Sequence, residues 1–345
     1  MGLDHEQLYA AVARRDHSFD GAFVFAVRTT SVFCRPGCAA RTPRRDNVLF
    51  FADASAAQSA GFRACRRCRP LEAPGVAPDW VRGLFVQIER TGAPLTARQM
   101  RAAGVHPARA SRWFQEHMGM SFRAFQHSLR LGASIDALRA GASVGDAAAA
   151  ARFESESGFR DAFERALGHA PSRLPANARS VRLARLTTAL GDVLLGACDE
   201  GVCLLEFLDR DTLPGQLAAL RKVLGPALRL GDHPLLARAA AQVQSYFAGE
   251  LREFDLPLLA PGTDFEQRVW AELRRIPYGR TLSYAQLATH IGRPTATRAV
   301  AGANSRNRIA VIIPCHRVIA ADGGLGGYAG SVWRKERLLE LEGAR

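Results

Sequence analysis

Two proline-rich stretches and a weaker third one divide this chain of 345 residues into short units. Residues 69–79 read RPLEAPGVAPD, residues 170–180 read APSRLPANARS, and residues 256–262 read LPLLAPG. Proline fixes φ and donates no backbone hydrogen bond, so such segments end helices and strands. A chain of this length is expected to hold two to four compact units. The sequence therefore predicts four domains, which we place at residues 1–74, 80–175, 181–260 and 261–345.

Positive charge dominates the chain. It has 46 Lys and Arg against 33 Asp and Glu, for a net charge of +13. Residues 1–75, 76–180 and 261–345 carry +4, +5 and +6, whereas residues 181–260 carry −2. Three basic segments indicate a polyanionic partner, of which nucleic acid is the commonest.

The composition excludes a membrane protein and a secreted one. No apolar run approaches the roughly 20 residues that span a bilayer. The first residues, MGLDHEQLYAAVARRD, lack the basic-then-apolar order of a signal peptide. We expect a cytoplasmic protein with no membrane partner, in which thiols stay reduced. Its seven cysteines are then candidates for metal binding or catalysis.

Each unit has its own pattern of secondary structure. The first is a small α+β module with a helix at 6–14 and strands at 22–29 and 47–51. The third alternates apolar and polar residues at 193–198 and 202–208, which predicts strands before a helix at 235–249, and we place Cys198 and Cys203 in its core. The fourth opens with a helix at 264–276, continues through a helix–turn–helix-like stretch at 284–304, and reaches an apolar strand at 309–313.

The second unit is helical and repeats itself. Phe114 and Gly119 recur as Phe163 and Gly168, with the same spacing. Tandem helix–turn–helix motifs explain such a repeat, and each second helix would enter a DNA major groove. Those helices are expected at 107–117 and 156–166. Their candidate DNA-binding arginines are Arg109, Arg112, Arg160 and Arg165, some of which are expected to be solvated surface residues.

Cysteines in the first unit form C-x3-C and C-x2-C pairs. Four thiolates on two such pairs match a tetrahedral zinc site, which a module this small needs for stability. The spacing favours a structural zinc without naming a finger type. The basic residues around the first pair offer a second interpretation, in which they hold a phosphate beside a nucleophilic thiolate; a solvated basic loop is the alternative. The cysteines are Cys34, Cys38, Cys65 and Cys68, and the arginines are Arg35, Arg41, Arg44 and Arg45.

A second constellation is Cys315 followed by His316, which places a thiol and a base at short range. For a bare Cys-His pair, a buried structural cysteine is the more common explanation. The glycine-rich stretch 323–330, GGLGGYAG, indicates either close approach of the backbone to a ligand or a flexible turn.

The motifs together resemble the Ada family of bacterial adaptive-response proteins, over nearly the whole chain. FAVRTTSVFCRPGC and GFRACRRCRP resemble its zinc-bound methylphosphotriester repair domain, and residues 80–175 resemble an AraC-type regulator. IPYG, SYAQLA, RAVAGA, IIPCHRV, GGYAG and LLELEG are similar to O6-alkylguanine-DNA alkyltransferases. The implied fold is multidomain α+β. It comprises the zinc module, the all-α tandem helix–turn–helix unit, an α/β ribonuclease-H-like subdomain and a helical, winged-helix-like alkyltransferase domain.

The resemblance also implies roles for residues. Cys315 would accept the methyl group from guanine, His316 would relay its proton through a water, Glu342 would orient His316, and Asn307 would support the site. In the zinc module Cys34 would be the acceptor, holding one Zn²⁺ together with the other three cysteines.

For DNA binding, Tyr284 would push on the phosphate of the target nucleotide and Arg298 would fill the gap left by the extruded base. Tyr328 and the backbone of Ala329 would contact the guanine oxygen.

The function so implied is stoichiometric methyl transfer from damaged DNA, coupled to transcriptional activation. The expected partners are double-stranded DNA and RNA polymerase, for a monomeric protein associated with the nucleoid. The alternative is a DNA-binding regulator with a purely structural zinc and a passive lesion-sensing domain.

Overall fold

The computed structural model describes residues 4–72, 74–325 and 331–345. The first unit places a four-stranded sheet between two helices. The sheet order is β3-β1-β2-β4, with β1 antiparallel to β2 and β3, and β2 parallel to β4. The elements are α1 (His5–Arg14), β1 (Val24–Val27), β2 (Val32–Cys34), β3 (Val48–Phe51), α2 (Ala54–Ser59) and β4 (Arg63–Ala64).

Alternation along β1 builds the two thin cores of this module. Phe25 packs with Ala11 and Val12 of α1, whereas Val24 and Ala26 face the α2 side. Side chains of successive strand residues point to opposite faces of a sheet, so a four-residue strand serves both cores. Neither core is large. The predicted strands at 22–29 and 47–51 are present but shorter than expected.

The second unit is all helical, as the repeat predicts. Its helices are α3 (Asp79–Thr91), α4 (Ala97–Ala102), α5 (Pro107–Met118), α6 (Phe122–Arg139), α7 (Val144–Ala150) and α8 (Glu156–Leu167). Phe114 and Phe163 are fully buried. Gly119 and Gly168 end α5 and α8 in the left-handed region, at φ 68° and 78°, where glycine carries no steric penalty. The repeated pair thus marks a buried anchor and a helix stop.

The third unit is a four-stranded sheet of order β7-β6-β5-β8 with two helices. Its elements are β5 (Val181–Thr188), β6 (Gly191–Cys198), β7 (Gly201–Phe207), α9 (Leu213–Leu224), β8 (Leu228–Leu230) and α10 (Pro234–Phe247). Both faces of the sheet are covered. Val193 and Leu195 pack toward α10 and the fourth unit, whereas Leu194 packs against the helical unit. Cys198 and Cys203 are buried in β6 and β7, as expected.

The fourth unit is mainly helical. It contains α11 (Asp264–Leu273), β9 (Leu282–Ser283), α12 (Tyr284–His290), α13 (Thr297–Ser305), β10 (Val318–Ile319) and α14 (Val332–Leu341), with a 3-10 turn at Cys315–Arg317. Strands β9 and β10 pair in parallel. The first helix ends three residues earlier than predicted.

The predicted strand at 309–313 is wrong. Only Ile309 makes a bridge, to Leu205, and the chain then turns, with Val311 at φ 70°. The side chain of Asn307 closes this turn, because its Oδ1 accepts from the Ile309 N–H at 3.0 Å and its Nδ2 donates to the Ile313 carbonyl at 2.8 Å. An apolar run predicts burial, which is observed. Here, however, the buried side-chain amide of Asn307 forms hydrogen bonds that a neighbouring strand would otherwise form.

The proline-rich segment after the first unit is tied to the third unit. Asp192 donates its N–H to the Gly75 carbonyl at 3.0 Å, and its carboxylate accepts from the Ala77 N–H at 2.9 Å.

No helix in the described ranges is long and apolar enough to cross a membrane.

Candidate active sites: a thiolate cluster and a buried cysteine

The four cysteines of the first unit converge on one point. Cys34 ends β2, Cys38 lies in the following loop, and Cys65 and Cys68 follow β4, which pairs with β2. Their four Sγ atoms all lie within 4.8 Å of one another. Sulfur atoms around a tetrahedral Zn²⁺ with Zn–S distances near 2.3 Å are separated by about 3.8 Å. The parallel β2–β4 pairing therefore brings together two cysteine pairs that are distant in sequence.

The surroundings of the cluster suit a bound cation. Hydrogen bonding to Cys38 raises the pKa of the Cys34 thiol. Four thiolates this close together repel one another, and a cation among them removes that repulsion. Backbone N–H groups point at the sulfurs, from Arg35 to Cys68 and from Arg67 to Cys65, both at 3.4 Å. The donor set fits Zn²⁺, which four thiolates bind in closed sites.

The arginines near this cluster differ in whether their side chains are paired with other groups. Arg35 donates to the backbone carbonyls of Arg69 and Glu72, at 3.2 and 2.5 Å, and so holds the linker. Arg45 is paired with Glu6 at 2.9 Å. Arg41 is exposed.

The second candidate site is built on the 3-10 turn that starts at Cys315. This cysteine is 3% exposed. The Nδ2 of Asn304 donates to its carbonyl at 3.3 Å, and the turn braced by Asn307 leads directly into it. The thiol position is therefore fixed by two buried amides, of which sequence reasoning identified only Asn307.

His316 and Glu342 form a buried pair beside Cys315. The His316 Nε2 and the Glu342 Oε1 are 3.0 Å apart, and neither side chain is exposed. Nε2 carries the proton of this hydrogen bond, which leaves Nδ1 as an acceptor. Nδ1 is buried and has no hydrogen-bond partner among the described residues. Burial also lowers the pKa of His316, so the ring is held neutral and ready to take a proton.

Glu342 receives more donors than the sequence indicated. Arg317 binds both carboxylate oxygens, at 2.8 and 2.9 Å, and the Tyr246 hydroxyl donates to Oε1 at 2.7 Å. Burial opposes ionisation, yet the hydrogen bonds from His316 and Arg317 outweigh it and lower the pKa of Glu342 to about 2. Arg317 lies inside the IIPCHRV motif, whereas nothing near Tyr246 in the sequence points to this site.

Lys335 is a further buried cation in this region that sequence reasoning missed. Its Nζ donates to the carbonyls of Val318 and Leu325, both at 2.5 Å. Burial lowers its pKa to about 8, against an opposing effect of the nearby Cys315. An ammonium in this position favours the thiolate form of Cys315.

Two of the other proposed contacts lie at the starts of helices. Tyr284 starts α12 half-buried, and burial raises its pKa. Arg298 is exposed on the first turn of α13. Tyr328 and Ala329 lie outside the described residues.

The arginines of the two second helices are at the surface. Arg109 and Arg112 are exposed on α5, with Arg109 stacked over Trp80 at 4.6 Å. Arg160 on α8 is exposed and paired with Glu156 at 2.5 Å.

Four family models match consecutive parts of the chain. They are the metal binding domain of Ada (residues 7–71), a helix-turn-helix domain (100–177), and the ribonuclease-like and DNA binding domains of 6-O-methylguanine DNA methyltransferase (181–260 and 264–344).

Relatives match both the whole chain and its last third. The bifunctional transcriptional activator/DNA repair enzyme Ada of Escherichia coli K12 is 36% identical over 349 residues, covering 99% of this chain and 97% of that protein. A methylated-DNA--protein-cysteine methyltransferase of Mycobacterium tuberculosis is 58% identical over 114 residues, covering 33% of this chain and 69% of that protein. The crystal structure of M. tuberculosis OGT in complex with DNA matches at 41% identity and a TM-score of 0.42, covering 48% of this chain and 94% of that one.

Proposed function

The chain belongs to the Ada family of bifunctional transcriptional activators and DNA repair proteins, and on this premise we propose which residues perform its two repair reactions. It is a methylated-DNA--protein-cysteine methyltransferase that binds DNA and one zinc ion and activates transcription. We assign residues 1–74 to methylphosphotriester repair, 80–175 to promoter binding, 181–260 to the ribonuclease-like subdomain and 261–345 to repair of the base.

Cys315 is the acceptor for the methyl group of O6-methylguanine. The observation that carries this assignment is the Nδ1 of His316, which is buried without a hydrogen-bond partner among the described residues. A water between this nitrogen and the thiol would pass the Cys315 proton to His316, while Glu342 stabilises the resulting imidazolium. The thiolate then attacks the methyl carbon. The S–C bond forms, the O–C bond breaks, and its electron pair remains on the guanine oxygen as guanine takes up a proton. A thioether does not hydrolyse, so each acceptor works once.

DNA must present the base outside the stack, since O6 is inaccessible in a duplex. Tyr284 at the start of α12 is suited to press on the phosphate of the target nucleotide. Arg298, exposed on the adjacent α13, is suited to occupy the vacated space. Tyr328, together with the backbone N–H of Ala329, would contact the guanine oxygen. Asn307 supports the site by holding the turn before Cys315.

Cys34 is the proposed acceptor for methylphosphotriesters, with Cys38, Cys65 and Cys68 as the remaining ligands. Bound zinc keeps the four sulfurs deprotonated at neutral pH. Attack of the Cys34 sulfur on the methyl carbon breaks the C–O bond and leaves a phosphodiester anion, which needs no proton. Arg35, Arg41 and Arg45 surround the loop that the DNA backbone would approach.

For promoter binding, we propose that α5 and α8 enter successive major grooves, with Arg109, Arg112 and Arg160 toward the DNA. Transcriptional activation further implies contact with RNA polymerase. We propose a monomer that acts in the cytoplasm on the nucleoid, where its substrate is.

The test is intact mass after incubation with DNA that carries both lesions, followed by peptide mapping. Wild-type protein should gain two methyl groups, on Cys34 and Cys315. Cys315→Ala should lose only guanine repair, and Cys34→Ala should lose only phosphotriester repair. A protein that binds damaged DNA without any gain in mass would instead be the passive sensor, and a methyl group on a different cysteine would refute the assignment.

A further inference from the structure

A cleft of ≈ 760 Å³ lies away from both acceptor sites, between the helical unit and the ribonuclease-like subdomain. Residues of α6, α8 and α9 line it, and no aspartate or glutamate is among the lining residues in the described part of the chain. We call this region the basic cleft, after its five basic residues: Arg123, His127, Arg130, Arg165 and Arg221. Its volume is in the range of pockets that hold small ligands.

Four guanidinium groups of the basic cleft act on one histidine. Burial lowers the pKa of His127, and the charges of Arg130, Arg165, Arg123 and Arg221 lower it further. None of these arginines forms an ion pair with a carboxylate among the described residues. Arg130 binds the carbonyls of Ala151 and Arg152 instead, both at 2.9 Å. Positive charge is therefore concentrated in the basic cleft, although Glu154, which does not line it, acts on Arg130.

Arg221 is half-buried, and the hydrogen bonds of its guanidinium are long. Its Nη2 lies 3.4 Å from the Ser128 hydroxyl, and its Nη1 lies 4.0 Å from the Met120 sulfur. Its Nε is buried without a hydrogen-bond partner in the part of the chain that the structure describes. Burying an arginine without an anion is unfavourable. An anion in the basic cleft would remove that cost.

The N-terminus of α6 adds to the positive electrostatic potential of the basic cleft. Ser121 caps this 18-residue helix by accepting from the Ala124 N–H at 3.2 Å, and both residues line the cleft. The first turn of α6 contains no acidic residue. A helix N-terminus favours negative charge, so the helix and the arginines attract the same type of ligand.

We propose that the basic cleft binds phosphate groups, through Arg123 and Arg165 at its mouth and Arg221 at its inner wall. Because Arg221 belongs to α9 and the other arginines belong to the helical unit, a bound phosphate would tie the promoter-binding unit to the repair domain. The phosphate is either one of the backbone of DNA held by α8 or a free one. The proposal goes beyond the assigned repair reactions and uses neither acceptor thiol.

The experiment compares wild-type zinc-loaded protein with Arg221→Gln, Arg123→Gln and the control Lys222→Gln. Lys222 is the exposed neighbour of Arg221 and does not line the cleft. Pyrophosphate binding is measured by calorimetry, and binding to a mixed-sequence duplex is measured across a salt series. Both methyl transfers are measured in parallel and should match wild type in all variants, so failure of the repair assignments would appear separately.

Loss of pyrophosphate binding in both arginine variants, with an unchanged salt dependence, would support a free phosphate ligand. A salt slope reduced by about 0.9 in each arginine variant would support a DNA phosphate, since one contact contributes about that much. Arg123 is exposed, so its substitution tests the cleft without disturbing the core. If both arginine variants behave like Lys222→Gln in both measurements, the proposal is wrong.

Discussion

At the scale of single residues, Glu342 keeps its charge in a buried site because Tyr246, His316 and Arg317 all donate to it. Glu342→Gln preserves the shape of the side chain but removes the charge that stabilises a protonated His316. We expect single-turnover guanine repair to slow by roughly 10²-fold or more, with phosphotriester repair unchanged. Glu340→Gln, which alters only the ion pair with Arg337, is the matched control. Equal rates for the two variants would remove Glu342 from the relay.

The same carboxylate makes stability depend on pH. Its pKa of about 2 in the folded protein lies below the ordinary 4.5, so its contribution is full above the ordinary value and is lost as the pH falls toward about 2. Thermal unfolding of wild type and Glu342→Gln should therefore differ most near pH 5 and converge toward pH 2. A gap that widens in acid would contradict the ion-pair assignment.

At the scale of one element, the turn from Asn307 to Ile313 positions Cys315, the proposed acceptor. Asn307→Ala leaves the Ile309 N–H buried without its partner, whereas the Ile313 carbonyl loses one donor and still accepts from the Cys315 N–H. The unpaired N–H should cost about 1–3 kcal/mol. We expect a lower unfolding temperature and slower guanine repair. Ser305→Ala, at an exposed position two residues earlier, should change neither quantity. Asn307→Ala with wild-type stability would show that the turn holds its shape without this amide.

The zinc module is the element most dependent on its ligand. Its two cores are small, so chelation of zinc from the full chain should unfold residues 4–72. Circular dichroism and limited proteolysis would record the loss of structure. Guanine repair should persist, because Cys315 lies in a separate core. A protease-resistant module after complete chelation would show that its cores suffice alone.

At the scale of the whole molecule, we predict that charge links repair to promoter binding. A Zn²⁺ ion with four thiolates has a formal charge of −2, which opposes a DNA backbone, and methylation of Cys34 leaves −1. Removing one charge a few ångströms from a phosphate is worth about 1–3 kcal/mol, or about tenfold to a hundredfold in affinity.

Promoter binding by Cys34-methylated protein should consequently be tighter than by unmethylated protein. The difference should shrink as salt increases, because screening weakens the repulsion. Binding isotherms over a salt series measure both effects. Equal affinities at low salt would exclude an electrostatic switch even if Cys34 proves to be the acceptor.

The sequence by itself determined what depends on neighbours along the chain. Cysteine pairs three or four residues apart predicted the metal site, and the repeat of Phe114 and Gly119 predicted the tandem helical motifs. Such features depend on residues that are close in sequence: a pair of cysteines, a buried phenylalanine, and a glycine that ends a helix. The motif around Cys315 likewise predicted, through its resemblance to alkyltransferases, that Cys315 and His316 form a site, and both residues are buried.

Only the tertiary structure decided which distant groups complete each site. Tyr246 meets Glu342 across 96 residues of chain, and Arg221 reaches the helical unit from another domain. The apolar run at 309–313 became a turn rather than a strand, and the Asn307 side chain pairs with the Ile309 N–H and the Ile313 carbonyl at its two ends. Burial and hydrogen bonding between remote segments depend on how those segments pack. A run of hydrophobic residues shows that a segment is buried, but it does not show which segment packs against it.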